Sequence, residues 1–347
     1  MDELTSLVDR LAAEHSLSIE EYERLVRDHD EDVAAYAADL AVKVRKDVYG
    51  NKVFVRGLIE FSSFCKRDCD YCGLRRSIRR DDRYRLTTEQ ILECTDEGYA
   101  NGLRTFVLQS GEDPYWTDER LCDLIRAIKE RHPDCAVTIS VGERSRESYQ
   151  RLLDAGADRY LLRHEAANPA YYRKIHPADM SHDERMSCIR DLKDVGFTVG
   201  VGFMVGSPHQ TPYDLACDLK FIEEFKPHMC GIGPFVSHHA TPYANEPNGS
   251  VDLTCFLLSL MRLIQPNLLI PATTSLGTLD PKGREKGMLS GANVVMPNLS
   301  PKSVRESYDL YDNKVSNGQE AAEGTALLRA SMEAIGYEVV VDRGDPA

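Results

Sequence analysis

After residue 52 the chain runs a short apolar stretch into an amphipathic one eight times over, and this alternation limits its fold more than any other feature. The apolar runs cover 53–62, 104–111, 136–142, 159–165, 197–206, 229–236, 268–276 and 292–299. Helical periodicity follows near 88–99, 118–131, 145–154, 182–195, 213–225, 252–264, 282–290 and 303–309. Gly102, Gly156, Gly196 and Gly291 each stand between a helical stretch and the next run, where a left-handed C-cap is wanted. Eight such units predict an α/β fold, a (β/α)8 barrel of the TIM type, over 51–347 with further helix at its C-terminal end. Residues 1–50 lie outside the alternation and read as an N-terminal helical extension, a lid or end cap. There Leu4, Leu7, Val8 and Leu11 have helix spacing, and Ser18 to Glu21 forms a capping box. Only 313–324 looks loose.

The first apolar run ends in Cys65-Lys-Arg-Asp-Cys69-Asp-Tyr-Cys72. Three thiols on so short a loop can turn onto one centre, as thiolate ligation of an iron–sulfur cluster demands. Three protein ligands leave one iron open, the property that separates a reactive metal site from a structural one. A zinc knuckle would need a fourth protein ligand, and the nearest candidates, Cys94 and His132, lie outside the loop. The other seven cysteines, Cys94, Cys122, Cys135, Cys188, Cys217, Cys230 and Cys255, fit helix faces or strand starts as small apolar residues.

A net charge of -14 over 347 residues argues against a nucleic-acid partner. The local exception is Arg75, Arg76, Arg79 and Arg80, either a solvated loop or a docking patch for an anionic substrate or a partner protein. No apolar run is long enough to cross a bilayer, and ten cysteines without a secretory signal fit a reducing, cytoplasmic compartment.

In a barrel of this kind the chemistry gathers at the C-terminal strand ends. The run after 104 ends in Gln109-Ser110-Gly111-Glu112, small residues that let backbone approach a ligand. Thr138 and Ser140 share a face of the third run. In the fourth, a period of two puts Arg159, Arg163 and Glu165 on one face. Two arginines against one glutamate suit a carboxylate-bearing ligand, with an internal ion pair as the alternative. Arg185 opens its helix, where a cation opposes the helix dipole and so either binds an anion or is neutralised by Asp183 and Glu184. Thr273 and Thr274 end the seventh run; Met296, Tyr308 and Tyr311 follow in and after the eighth.

The CxxxCxxC spacing with Tyr71 before its last cysteine resembles the radical S-adenosylmethionine superfamily. Gly57-Leu-Ile-Glu-Phe-Ser62, Leu108-Gln-Ser-Gly-Glu-Asp-Pro-Tyr115, Asp158 to Glu165, Gly231-Ile-Gly-Pro-Phe235 and Pro271-Ala-Thr-Thr274 narrow the likeness to its HydE-type FeFe-hydrogenase maturases, over nearly all of the chain. The resemblance implies one 4Fe–4S cluster on Cys65, Cys69 and Cys72, and cleavage of S-adenosylmethionine to a 5′-deoxyadenosyl radical. It implies cofactor contacts at Tyr71, Gln109, Ser110, Gly111, Glu112, Ser140, Glu165 (ribose), Arg185 (methionyl carboxylate), Met296 and Tyr308. It also implies substrate contacts at Thr138, Arg159, Arg163, Thr273, Thr274 and Tyr311. The implied substrate is a small cysteine-derived iron complex carrying carbon monoxide and cyanide, supplied by a partner maturase, with a separate electron donor. A methylornithine synthase-like mutase and a non-catalytic iron–sulfur carrier are the alternatives. Some members carry three further cysteines near the C-terminus; no cysteine follows Cys255 here, and the matching region runs through Ser316 and Gly324, so a single cluster is predicted.

Overall fold

The computed structural model describes residues 3–315 and 321–347, so part of the loose stretch 313–324, Ser316 included, lies outside the described residues. Three helices come first, α1 (Glu3–Glu14), α2 (Ile19–Asp28) and α3 (Glu31–Tyr49). Ser18 caps α2 through the predicted reciprocal box. Nine strands follow among the described residues: β1 (Lys52–Val55), β2 (Gly57–Ser62), β3 (Thr105–Ser110), β4 (Ala136–Ser140), β5 (Arg159–Leu161), β6 (Thr198–Val205), β7 (Met229–Pro234), β8 (Val294–Val295) and β9 (Glu338–Val340). Between them lie α4 (Thr88–Ala100), α5 (Asp118–Arg131), α6 (Arg146–Asp154), α7 (Pro169–Ile175), α8 (His182–Val195), α9 (Pro212–Phe225), α10 (Val251–Ile264), α11 (Thr274–Leu279) and α12 (Gly283–Met288). After β8 come α13 (Lys302–Arg305) and α14 (Ala321–Ala334).

Strands β2 to β7 form a parallel sheet in sequence order. Single parallel bridges, Met229 to Leu269 and Pro271 to Val294, carry the ring on from β7 to β8, and β8 pairs with β1. β1 and β2 are one run broken at Arg56, so the six-stranded sheet β2 to β7 and the three-stranded sheet β8-β1-β9 adjoin there. The seventh run is the weakest: Pro271 offers no N–H to a ladder, and Thr273 already begins the turn into α11. All six residues of β2 are buried, as a strand covered on both faces requires. Gly102, Gly156, Gly196 and Gly291 all take positive φ, Gly196 at the C-cap of α8 itself.

The N-terminal helices do not close over the strand ends, as a lid would. Tyr22 Oη and Ser16 Oγ each donate to Glu223 of α9 (both 2.7 Å), and the three helices supply no residue to the central cavity. Arg45, wholly buried in α3, donates to Ala292 and Gly50 carbonyls (2.9 Å each), bracing the entry into β1. At the opposite end of the sequence, β9 pairs beside β1, and residues 343–345 tuck under the N-terminal ends of the strands. There Arg343 O accepts from Thr105 Oγ1 (2.7 Å).

Candidate functional site

A cavity of about 370 Å³ occupies the barrel interior and opens at the C-terminal strand ends, a size within the ~300–1,000 Å³ of ordinary ligand pockets. Cys65, Cys69 and Cys72 line it from the loop after β2. Backbone bonds pin that loop: Lys66 N donates to Glu112 O (2.9 Å), Asp70 N to Ile175 O (3.2 Å) and Gly73 N to Leu310 O (2.9 Å). Gly111 is there for space, because a Cβ would sit 2.4 Å from Phe64 O and 2.7 Å from Cys65 Cβ. Burial pushes all three thiols up, Cys72 to about 12, so each holds its proton until a cation replaces it.

Tyr71 packs under the loop. Its hydroxyl donates to His176 Nε2 (3.1 Å), because His176 Nδ1 is committed to the Tyr172 carbonyl (3.0 Å). Burial holds His176 down to about 4, keeping it neutral and able to accept.

The opposite wall carries the polar groups. Gln109, Ser110, Ser140 and Thr138 line the cavity, and Gln109 Nε2 donates to Tyr308 Oη (3.3 Å). Glu165 sits at φ 64°, a left-handed conformation that costs roughly 1–2 kcal/mol outside glycine. Strain of that kind is retained where the side chain must point a particular way. Burial works against the Glu165 charge, yet Arg163, whose Nε donates to Oε1 (2.9 Å), holds its carboxyl below the usual range. Glu165 Oε2 and Thr138 Oγ1 are buried without a partner. Gly233, where a Cβ would meet Ser275 Oγ at 2.2 Å and Thr273 Oγ1 at 2.5 Å, gives those two hydroxyls their approach. Met296, Tyr308 and Tyr311 complete the lining.

Four residues expected at the cavity are not part of its lining. Arg159 leaves β5 on the expected inner side, but its guanidinium runs to the strands' N-terminal ends, where Nη2 meets Asp345 Oδ1 (2.6 Å) and Arg343 O (2.8 Å). Arg185 stands behind the wall, its Nε 2.6 Å from Glu143 Oε1 and its Nη1 3.2 Å from Arg163 O. Glu112 faces Arg67 Nε (2.8 Å) in the same ion cluster. Thr274 is the first residue of α11, and its neighbours Thr273 and Ser275 line the cavity in its place.

The sequence reading missed Arg56. It lines the cavity's inner end, buried, with Nη1 on Met229 Sδ (2.8 Å), Nη2 at 3.5 Å from Gly344 O and Nε without a partner. Burial, then the neighbouring Arg159, pushes its pKa well below that of an ordinary arginine. The signal was visible as the one charge inside Val53 to Ile59. Leu161 and Met229, which the motifs did not identify, join Met204 in an apolar wall.

The Radical SAM superfamily description matches residues 59–222. The [FeFe] hydrogenase maturase subunit HydE of Thermotoga maritima is 46% identical over 276 residues, 80% of this chain and 78% of that protein. The 3-methylornithine synthase of Methanosarcina barkeri is 28% identical over 316 residues, 90% of this chain and 88% of its own. Among solved structures, methylornithine synthase (PylB) superposes with a TM-score of 0.85 at 26% identity, covering 96% of this chain and 97% of that one. HydG, at TM-score 0.79, 20% identity and coverages of 96% and 75%, shares the fold.

Proposed function

The chain belongs to the radical S-adenosylmethionine superfamily, within its HydE group, and from that membership we propose that it cleaves S-adenosylmethionine at one cluster held by Cys65, Cys69 and Cys72 to mature FeFe-hydrogenase. The observation that carries the reading is three thiols on one pinned loop facing two orphaned polar atoms, Thr138 Oγ1 and Glu165 Oε2, across a single cavity. The donor set fits the cluster, since soft thiolates are what iron–sulfur centres take. When bound, the cluster supplies the electron that splits the sulfonium into methionine and a 5′-deoxyadenosyl radical.

The chain's own residues position and shield. Gly111 and Ser110 bring backbone up to the amino-acid end of the cosubstrate beside the cysteines. Glu165 offers Oε2 to a ribose hydroxyl, with Arg163 keeping it ionised. Tyr71, Gln109, Ser140, Met296 and Tyr308 close around that ligand, and Arg185 braces Glu143 and the Arg163 carbonyl behind it. Deeper, Thr138, Arg163, Thr273, Tyr311 and Arg56 form a cationic, hydroxyl-rich chamber that suits a small anionic substrate. A substrate there is held against the cosubstrate with water excluded, which a reactive carbon radical requires. We assign to this chamber a cysteine-derived iron complex carrying carbon monoxide and cyanide.

The overall superposition on methylornithine synthase favours a second reading, a radical mutase of an amino-acid substrate. Extracts that lack this protein but hold the other maturases separate the two. The maturase reading expects FeFe-hydrogenase to stay inactive until the protein is added back; full activation without it would leave the mutase.

A further inference from the structure

Glu165 is the centre of a γ-turn: the Ala166 N–H donates to His164 O (2.8 Å) around its φ of 64°. Turns of this hand are rare and strained, so something must hold the backbone there. Asp218 of α9 does so from both sides. Its Oδ1 accepts from the Ala167 N–H (2.7 Å), which fixes that oxygen as an acceptor, and so accepts from His164 Nε2–H as well (3.2 Å). One turn earlier on α9, Asp214 Oδ1 accepts from Nδ2 of Asn168 (2.7 Å), the N-cap of α7. Asp218 and His164 are wholly buried, the imidazole packs against the rings of Phe203 (5.6 Å) and Phe221 (4.7 Å), and neither residue lines the cavity. In so apolar a setting two leucines would pack without the cost of burying a carboxylate, whose Oδ2 here has no partner. Packing alone does not call for this pair.

We propose that Asp218, acting through His164 and the Ala167 N–H, is a positioning residue for S-adenosylmethionine: it clamps the turn that aims Glu165 at the ribose. The proposal rests on the assignment of Glu165 to that ligand. A left-handed residue whose flanks are released returns to the favoured right-handed or extended region, and the change of φ swings its Cβ to a new direction. Arg163 binds Oε1, and the Gly202 carbonyl takes the Glu165 N–H (3.0 Å), but neither restrains the chain that follows Glu165. Asp218 ties residues 164 and 167 to one oxygen, so the turn between them cannot open without breaking a buried bond to a carboxylate.

The test is the KM for S-adenosylmethionine in 5′-deoxyadenosine formation by anaerobically reconstituted, dithionite-reduced protein. Asp218→Ala is expected to raise KM by about tenfold or more with kcat held within about threefold, the pattern of lost cosubstrate binding rather than lost chemistry. Asp218→Asn keeps an oxygen acceptor for both donors and should stay within about threefold of the unaltered protein. His164→Leu removes one arm of the clamp and carries the same test should Asp218→Ala fail to fold, with a rise of about threefold to tenfold. In a Glu165→Ala background the further change Asp218→Ala is expected to raise KM by less than about twofold, because the group it aims is already gone. An unchanged KM in Asp218→Ala and His164→Leu, or an equal rise with and without Glu165, would overturn the positioning role. A Glu165→Ala protein with the unaltered KM would instead sink the ribose assignment, and an unaltered protein that forms no 5′-deoxyadenosine the cosubstrate reading itself, each taking this proposal with it.

Discussion

Each thiol in the cysteine loop has a separate test. Replacing any one of Cys65, Cys69 or Cys72 by alanine should leave reconstituted protein without bound iron and without S-adenosylmethionine cleavage, while Cys122→Ala, a change of a buried helix residue, should keep both. Iron analysis checks the count as well: one cluster's complement per chain is expected, and twice that contradicts it. Gly111→Ala drives a methyl group into Phe64 O and Cys65, so the backbone must shift; a loss of about 1–3 kcal/mol in urea unfolding and poorer cluster loading are expected. Arg56 should behave in the opposite sense. An uncompensated buried cation is costly, so Arg56→Met should raise stability, by about 1 kcal/mol or more, while lowering substrate turnover; a loss of stability would mean that its charge braces the fold instead. His176 gives a pH signature. Its pKa of about 4 lies below that of the unfolded chain, so the unfolded state binds the extra proton between the two values. Stability of the metal-free chain should thus be complete above pH ~6.5 and decline as pH falls from there toward 4, with a shallower decline in His176→Gln.

At the scale of elements, the helices and strand order were legible because apolar periodicity and glycine stops are local. Predicted 118–131 and 182–195 coincide with α5 and α8. What alternation could not supply was direction beyond Cβ. It put Arg159 on the inner face, but a long side chain can run along the barrel axis either way, and Asp345 draws this one downward. Arg163, two positions past the end of the β5 ladder, stays with the cavity. The short α7 was missed although Asn168 before Pro169 is a helix-start signal; seven residues make too weak a period. Strand β9 and the segment beneath the barrel were invisible because their partner, β1, lies almost 290 residues away in sequence. That segment makes its own prediction. Asp345→Asn leaves the buried Arg159 guanidinium without its counter-charge, and since the carboxylate is half exposed a cost of about 1–3 kcal/mol in urea unfolding is expected, largely relieved when Arg159→Met is added.

For the whole molecule, the barrel does two jobs that the sequence announced at different strengths. Its sealed wall and the residues beneath it exclude water, which follows from burial patterns. Its open end gathers a loop after β2, the ends of β3 to β7 and the 296–311 segment into one chamber, and only the tertiary fold brings these together. The cysteine spacing was the one part of the site readable without the fold, because all three donors sit within a single loop. The account stands on that loop carrying a cluster with an open iron toward the chamber. Electron paramagnetic resonance of the anaerobically reconstituted, reduced protein, recorded before and after S-adenosylmethionine is added, tests this most directly. A shifted cluster spectrum accompanied by 5′-deoxyadenosine is the predicted result; an unshifted spectrum with no 5′-deoxyadenosine would contradict it.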